Sequence, residues 1–324
     1  MASWGGILEE LQASAQQAGG PPDFDAIRRK YLTQLHALTG RATIVYASDW
    51  LMGGPPGISI TPEDTLAMME VCKDMGDGPL DLIVHSPGGS AEATASIVRY
   101  LRKQFSEVRV FVPQAAMSAA TMLSLSANVI VMGKQSRLGP IDPQLVTAQG
   151  PIPARAILDQ FERAKKECAE DSAALGPWMP MLQQYGPALL EQCQNADTLA
   201  KRLVKEWLRT YMFKGDKYAA RKARRVAGFF GDHHIHQSHS LGIDRDEARE
   251  KGVHIEDLEA DAALEDGVLA VFYATFHTFG AGPAIKIVEN QLGRAFVKIA
   301  QQIQIPMQMG MPGMPPQGPP APSQ

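Results

Sequence analysis

The chain has 324 residues, 45% of them hydrophobic and 20% charged, with a formal net charge of −4. That length suggests one large domain with appendages or two modest ones, and the composition is that of an ordinary globular protein. The slight negative charge gives no reason to expect nucleic acid as a partner, and three scattered cysteines, Cys72, Cys168 and Cys193, argue against a disulfide framework or a zinc ribbon.

The opening MASWGGILEELQASAQQAGGPP lacks a basic region followed by a long apolar core, so no signal peptide is expected, only a loose arm with some helix. DFDAIRRKYLTQLHALTG (23–40) has apolar residues at helical spacing and a terminal glycine. RATIVYAS (41–48) reads as a strand, TPEDTLAMMEVCKDM (61–75) as a helix, LDLIVHS (80–86) as a strand, and AEATASIVRYLRKQF (91–105) as a helix after the turn PGGS. VRVFVPQ, ATMLSLSA and NVIVM continue the alternation, which implies a parallel sheet with crossover helices. Helical patterns dominate from about 152 to 230, a short helix and strand follow in IDRDEAREKGVHIEDLE, and residues 262–302 read as helical again. The Met-, Pro- and Gly-rich tail cannot bury enough surface to fold. The domains expected are an arm and helix at 1–40, a main domain at 41–260, a C-terminal helical segment at 261–302 and a disordered tail at 303–324. No stretch reaches the roughly 20 apolar residues of a membrane helix. The nearest, 267–282, contains His277 and several glycines and is expected to pack against protein, in a cytoplasmic chain.

Two turns at the carboxyl ends of strands carry the chemistry, where ligands gather in such sheets. In SPGGS (86–90), Gly88 and Gly89 permit backbone angles closed to other residues and let a carbonyl approach main-chain amides. Such amides before a helix suit an oxyanion hole. In AMSAA, Ser118 follows a strand and precedes a helix, and the Ala119 amide is placed to join that of Gly89. No GxSxG motif occurs, so an α/β-hydrolase elbow is not supported.

IVHSPGGSAEATASIVRYL followed by VPQAAMSAATMLSLSANVIVM resembles the proteolytic subunit of Clp and the signal peptide peptidase A group, both of the ClpP/crotonase superfamily. GKQSRLGPIDPQL (133–145) is similar to the serine dehydrogenase proteinase (SDH-type) family, and IDRDEAREKGVHIEDLE resembles the closing segment of signal peptide peptidases. The resemblance covers roughly residues 40–260. It implies an α/β fold of repeated ββα units, with parallel sheets, flanking helices and helical extensions. It implies a serine peptidase acting on polypeptides, with Ser118 as nucleophile, oxyanion amides from Gly88, Gly89 and Ala119, no cofactor, and self-assembly into a homo-oligomer. The Clp pattern places its histidine downstream of the serine where this chain reads LGPIDPQ, and no histidine occurs between His85 and His233. Signal peptide peptidases use a downstream lysine instead, and Lys165 and Lys166 in FERAKKEC fall in that interval, with Lys166 preferred. Lys134 is a weaker option, and Asp142 could orient a base or cap a turn.

HHIHQSH (233–239) holds four histidines without HExxH; no metal is expected there, although one of them could reach Ser118. KYAARKARR (217–225) reads as a solvated basic helix. Two other readings of the same fold are a crotonase-like acyl-CoA enzyme and a non-catalytic scaffold, the latter binding a partner protein through its C-terminal tail.

Overall fold

The structure, a computed structural model, describes residues 2–51, 57–147 and 150–300. Helices α1 (Trp4–Ala18) and α2 (Phe24–Thr39) come first, then strand β1 (Ala42–Ser48) and helix α3 (Glu63–Val71). Next come β2 (Pro79–His85), α4 (Ala91–Gln104), β3 (Glu107–Val112), the short β4 (Ala115–Ala116), α5 (Ala119–Leu125) and β5 (Val129–Met132). The short β6 (Arg137–Leu138) precedes a hairpin of β7 (Gln144–Thr147) and β8 (Gly150–Pro153). A helical block follows, with α6 (Ala154–Glu170), α7 (Leu175–Leu182), α8 (Leu189–Trp207), α9 (Ala219–Phe230) and the single turn α10 (His233–His236). The remaining elements are α11 (Arg245–Lys251), β9 (Ile255–Asp257), α12 (Ala262–Ala281), β10 (Ala284–Asn290) and β11 (Ala295–Ile299).

Local chemistry sets the helix ends. Ser90 caps α4 by accepting from Ala93 N at 3.0 Å, while Glu92 in its first turn and Arg102 and Lys103 in its last complement the dipole. Ala93, Ile97, Val98 and Leu101 recur at three- and four-residue spacing and form its buried face. Both α1 and α2 stop at a glycine in the left-handed region, Gly19 and Gly40.

The central sheet has seven strands in the order β11-β10-β1-β2-β3-β5-β9. The run from β1 to β9 is parallel, whereas β10 and β11 pair antiparallel. Side-chain alternation sends Ile44, Tyr46, Leu82, Val84 and Val110 to one face, against α3, α4, α5, α8 and α9. Val45, Ala47, Ile83, Phe111 and Val131 point to the other face, against α2 and α12. The parallel strands are therefore apolar on both faces, as a sheet covered on both sides requires. This three-layer α/β arrangement, with a mostly parallel sheet and flanking helices, is the expected architecture. Its consequence for function is that β2 and β3 are neighbours, so the turns leaving them emerge side by side.

The structure differs from the sequence reading at both ends. Residues 262–302 were expected to be helical, but the helix stops at Ala281 and β10 and β11 complete one side of the sheet. The expected loose arm is a capped helix that buries Ile7 and Leu11 against Ala270 and Ala274 of α12. No described helix is long and apolar enough to cross a membrane. The tail at 303–324 lies outside the described residues, as does any partner contact through it.

A buried charge pair ties these ends together. Glu289 on β10 accepts from Arg28 Nε and, at 3.2 Å, from Arg29 Nε. Arg28 also donates to Thr278 Oγ1 at 3.0 Å and to Asp25 Oδ1 at 2.6 Å. Arg28 and Glu289 are both fully buried, so losing either strands a charge in the core. Arg28→Met is expected to cost about 3–5 kcal/mol. Urea denaturation should show a lower midpoint at unchanged slope; an unchanged midpoint would contradict the role given to the pair.

Candidate active site

Ser118 stands between β4 and α5 with φ +52° and ψ −119°, a conformation side-chain-bearing residues seldom adopt. Such backbone costs on the order of 1–3 kcal/mol and persists only where its surroundings over-determine it. Here Met117 N donates to Ser86 O at 2.9 Å, Ser86 N to Ala115 O at 3.2 Å, and Ala120 N to Met117 O at 2.9 Å. Thr121 Oγ1 adds a second tie, donating to Ala116 O at 2.6 Å and accepting from Gly139 N at 2.8 Å. The serine hydroxyl does not cap α5. The strained turn therefore presents it to the cleft that Ser118 lines.

The Pro-Gly-Gly turn packs directly on this one. Gly88 has φ +94°, and a Cβ there would lie 2.5 Å from Met117 O and 2.7 Å from Ala119 N. Only glycine allows that approach. Gly88 N donates to Ser86 Oγ at 3.2 Å, so this amide is turned back into its own loop and Gly88 contributes space rather than a free donor. The amides of Gly89 and Ala119 have no hydrogen-bond partner among the described residues, and both residues line the cleft. The cleft measures about 640 Å³, and Met122, Ile141 and Leu199 make it largely apolar beside Ser118.

The opposite wall comes from segments far apart in the chain. Ile141 N donates to Phe230 O at 2.8 Å, and Leu138 and Ile243 exchange backbone bonds of 2.9 and 2.8 Å. These ties hold the GPIDPQ loop against the segment after α10. Asp142, buried in that loop, meets His239 Nδ1 at 2.8 Å through Oδ1 and His233 Nδ1 at 3.1 Å through Oδ2. A carboxylate oxygen accepts, so Nδ1 is the side of the His239 ring that faces an acceptor. His239 lines the same cleft as Ser118. His236 Nε2 instead meets Phe229 O at 2.8 Å, and His234 Nε2 lies 3.3 Å from Asp159. His233 and His239 thus share Asp142 while His234 and His236 face other partners, and among the described residues no group of three or more His, Cys, Asp or Glu could hold a metal.

The lysines lie elsewhere. Lys165 and Lys166 are exposed on α6 and Lys134 is exposed beyond β5; none of the three lines the cleft. A lysine base needs desolvation or a cationic neighbour. Burial does push one ammonium below its usual range, that of Lys286 on β10, but Asp64 opposes the shift and holds it. Ser118, Gly89, Ala119 and His239 line one cleft, Asp142 bonds His239, and Lys165 and Lys166 lie outside it. GPIDPQ and HHIHQSH were both visible in the sequence, but 97 residues separate Asp142 from His239 and no local pattern links them.

A family model described as "ClpP-like SDH-type serine proteinase" matches residues 55–260. Two uncharacterized proteins of Methanocaldococcus jannaschii are similar in sequence. MJ0137 is 30% identical over 207 residues, 64% of this chain and 64% of that protein. MJ1495 is 33% identical over 117 residues, 36% of this chain and 39% of that protein. The chain thus spans less than two thirds of the length of these curated relatives. Among solved structures, the 1510-N membrane-bound stomatin-specific protease is 15% identical with a TM-score of 0.36, covering 61% of this chain and 74% of that one. ClpP1 from Listeria monocytogenes is 16% identical with a TM-score of 0.31, covering 70% of this chain and 94% of that one.

A fifth histidine sits close by but takes no part in the cleft. His85 ends β2 fully buried, with neither ring nitrogen hydrogen-bonded among the described residues. Its ring stacks 5.6 Å from Trp50 and lies edge-on to Phe272 and Phe276 at 5.2 and 5.0 Å. Burial holds its pKa down to about 3 from the usual 6.5. As pH falls below about 6.5 the unfolded chain takes up this proton and the folded one does not, until about pH 3. Stability is therefore expected to fall across that window by up to about 1.4 kcal/mol per pH unit. His85→Phe should flatten this acid limb in urea titrations run at several pH values; parallel limbs for the two proteins would refute it.

Proposed function

The chain belongs to the family of ClpP-like SDH-type serine proteinases, and from that premise we propose that it is a serine endopeptidase in which Ser118 attacks, His239 carries the proton and Asp142 holds the imidazole. The observation that carries this reading is the Ser118 turn, strained at φ +52° beside two unpartnered amides and opening into the cleft that His239 lines. Backbone strain at one polar residue facing a cleft is the kind that function retains.

The steps follow from the donors and acceptors. Ser118 Oγ forms a bond to the substrate carbonyl carbon as its proton passes to His239 Nε2, and the carbonyl π pair moves onto oxygen. The Gly89 and Ala119 amides receive that oxyanion. Its collapse breaks the carbon–nitrogen bond, and the imidazolium returns its proton to the departing amine. Water, deprotonated by the same Nε2, then releases the acyl group by the reverse sequence. Asp142 stabilises the imidazolium and keeps Nδ1 protonated throughout. Among the described residues Ser118 Oγ and His239 share no hydrogen bond, and the step requires that they come within reach of one another as the substrate binds. A polypeptide substrate and self-assembly into a homo-oligomer belong to the same reading. His239 in the cleft that Ser118 lines weighs against the scaffold alternative.

The test is a fluorophosphonate serine probe with turnover of an unfolded polypeptide. Ser118→Ala should lose labelling entirely. His239→Ala should lower kcat by about 10²–10⁴-fold, and Asp142→Asn by up to about 10⁴-fold through the wrong tautomer. Lys166→Ala and Lys165→Ala should match wild type. Full activity in His239→Ala, with loss in Lys165→Ala or Lys166→Ala, would return the base to α6; equal labelling of wild type and Ser118→Ala would remove the nucleophile.

A further inference from the structure

Beneath the Pro-Gly-Gly turn lies a buried charge pair that the steps above do not use. Lys286, on β10, is fully buried, and its Nζ donates to both Asp64 carboxylate oxygens at 2.8 Å. Its third bond, also 2.8 Å, goes to the carbonyl of Ser59. Asp64 Oδ2 in turn accepts from Thr61 N at 2.7 Å and from Tyr46 Oη at 3.2 Å. The segment Ser59–Ile60–Thr61 is thus held at both ends, by Lys286 through one carbonyl and by Asp64 through one amide.

What this segment grips is the candidate oxyanion loop. Ile60 N donates to Gly88 O at 2.7 Å, and Ile60 O accepts from Ser90 N at 2.9 Å, so the two bonds straddle Gly89. A trans peptide is planar, with its C=O and the following N–H pointing in opposite directions. The Gly88 carbonyl and the Gly89 amide share one such plane. Fixing the carbonyl on Ile60 therefore aims the Gly89 N–H away from Ile60. Gly89 itself, at φ +150°, sits so close that a Cβ would lie 2.5 Å from Ile60 N.

We propose that Lys286 and Asp64 act as a positioning pair, aiming the Gly89 amide at the reacting carbonyl oxygen through the Ser59–Thr61 segment. This rests on the Ser118 reading above. Lys286 lies beyond residue 260, outside the span the family model matches, so the antiparallel edge of the sheet reaches into the catalytic turn. Neither residue touches substrate; the effect on rate runs through one peptide plane.

The double variant Lys286→Met with Asp64→Asn removes both charges together, so neither is stranded, and Asn keeps an acceptor for Thr61 N. It is expected to fold, to keep KM within a few-fold, and to lose up to about 10²–10³-fold in kcat, the loss seen when one oxyanion donor is removed. Affinity for a peptide trifluoromethyl ketone, whose adduct places an oxyanion in the hole, should fall in parallel. Lys286→Arg, which restores a donor cation, should recover part of both. If that double variant does not fold, Lys286→Gln with Asp64→Asn, neutral on both sides and closer in shape to the native pair, carries the same expectation. A folded variant with unchanged kcat and ketone affinity overturns the proposal, as does a loss confined to KM or to thermal stability. Wild-type protein that the fluorophosphonate fails to label overturns the Ser118 reading itself, a result distinct from a labelled wild type with an equally active variant.

Discussion

A Cβ on Gly88 would come within 2.5 Å of the Met117 carbonyl and 2.7 Å of the Ala119 amide, and this close approach of two backbones is what everything else at the site depends on. The parallel pairing of β2 with β3 starts the two turns from adjacent strand ends. The bonds between Ser86, Ala115 and Met117 then extend that pairing beyond the sheet. That extension holds Ser118 in its strained conformation through backbone hydrogen bonds. Small residues around it serve packing and access at once: Ala119 and Ala120 are buried in the core, and Ala119 also lines the cleft.

Buried charges recur at the joints between segments distant in sequence. Arg28 with Glu289 joins α2 to β10, Lys286 with Asp64 joins β10 to the start of α3, and Asp142 gathers two histidines from beyond α9. Asp81, fully buried on β2, takes Arg41 at 2.6 Å and Arg109 at 2.8 Å. Such pairs seldom add net stability, because desolvation offsets their attraction. They are costly to mispair, however, and so they select one register of segments over others. In this fold that register sets which segments line the cleft that Ser118, Gly89 and His239 share.

Much of the architecture was legible because its signals are local. PGGS and AMSAA each mark a strand-to-helix turn within five residues, and the alternation of apolar strands with amphipathic helices from 41 to 132 implied a parallel sheet. The C-terminal hairpin escaped because AIKIVEN does not alternate: all seven residues are buried, with Lys286, Glu289 and Asn290 among them. Lys286 and Glu289 interrupt the apolar run, and what buries them is seen only with their partners on α2 and α3. The loop at Gly293, with φ +83°, was the one hairpin signal nearby. Lys165 and Lys166 drew attention through their distance along the chain from Ser118, and distance along a chain says nothing about which face of α6 they occupy.

The sequence by itself determined the strand-to-helix turns, the glycines and small residues that let them meet, and the family to which they belong. These rest on backbone sterics, which act over a few residues. The partner offered to Ser118 by the fold was decided only by tertiary structure. His239 comes to the cleft bonded to Asp142, and Lys286 bonds Ser59 and Asp64, through hydrogen bonds and ion pairs between segments tens to hundreds of residues apart. Hydrogen bonds and buried ion pairs depend on where groups lie in space, and side-chain type alone does not reveal which carboxylate a buried cation will find.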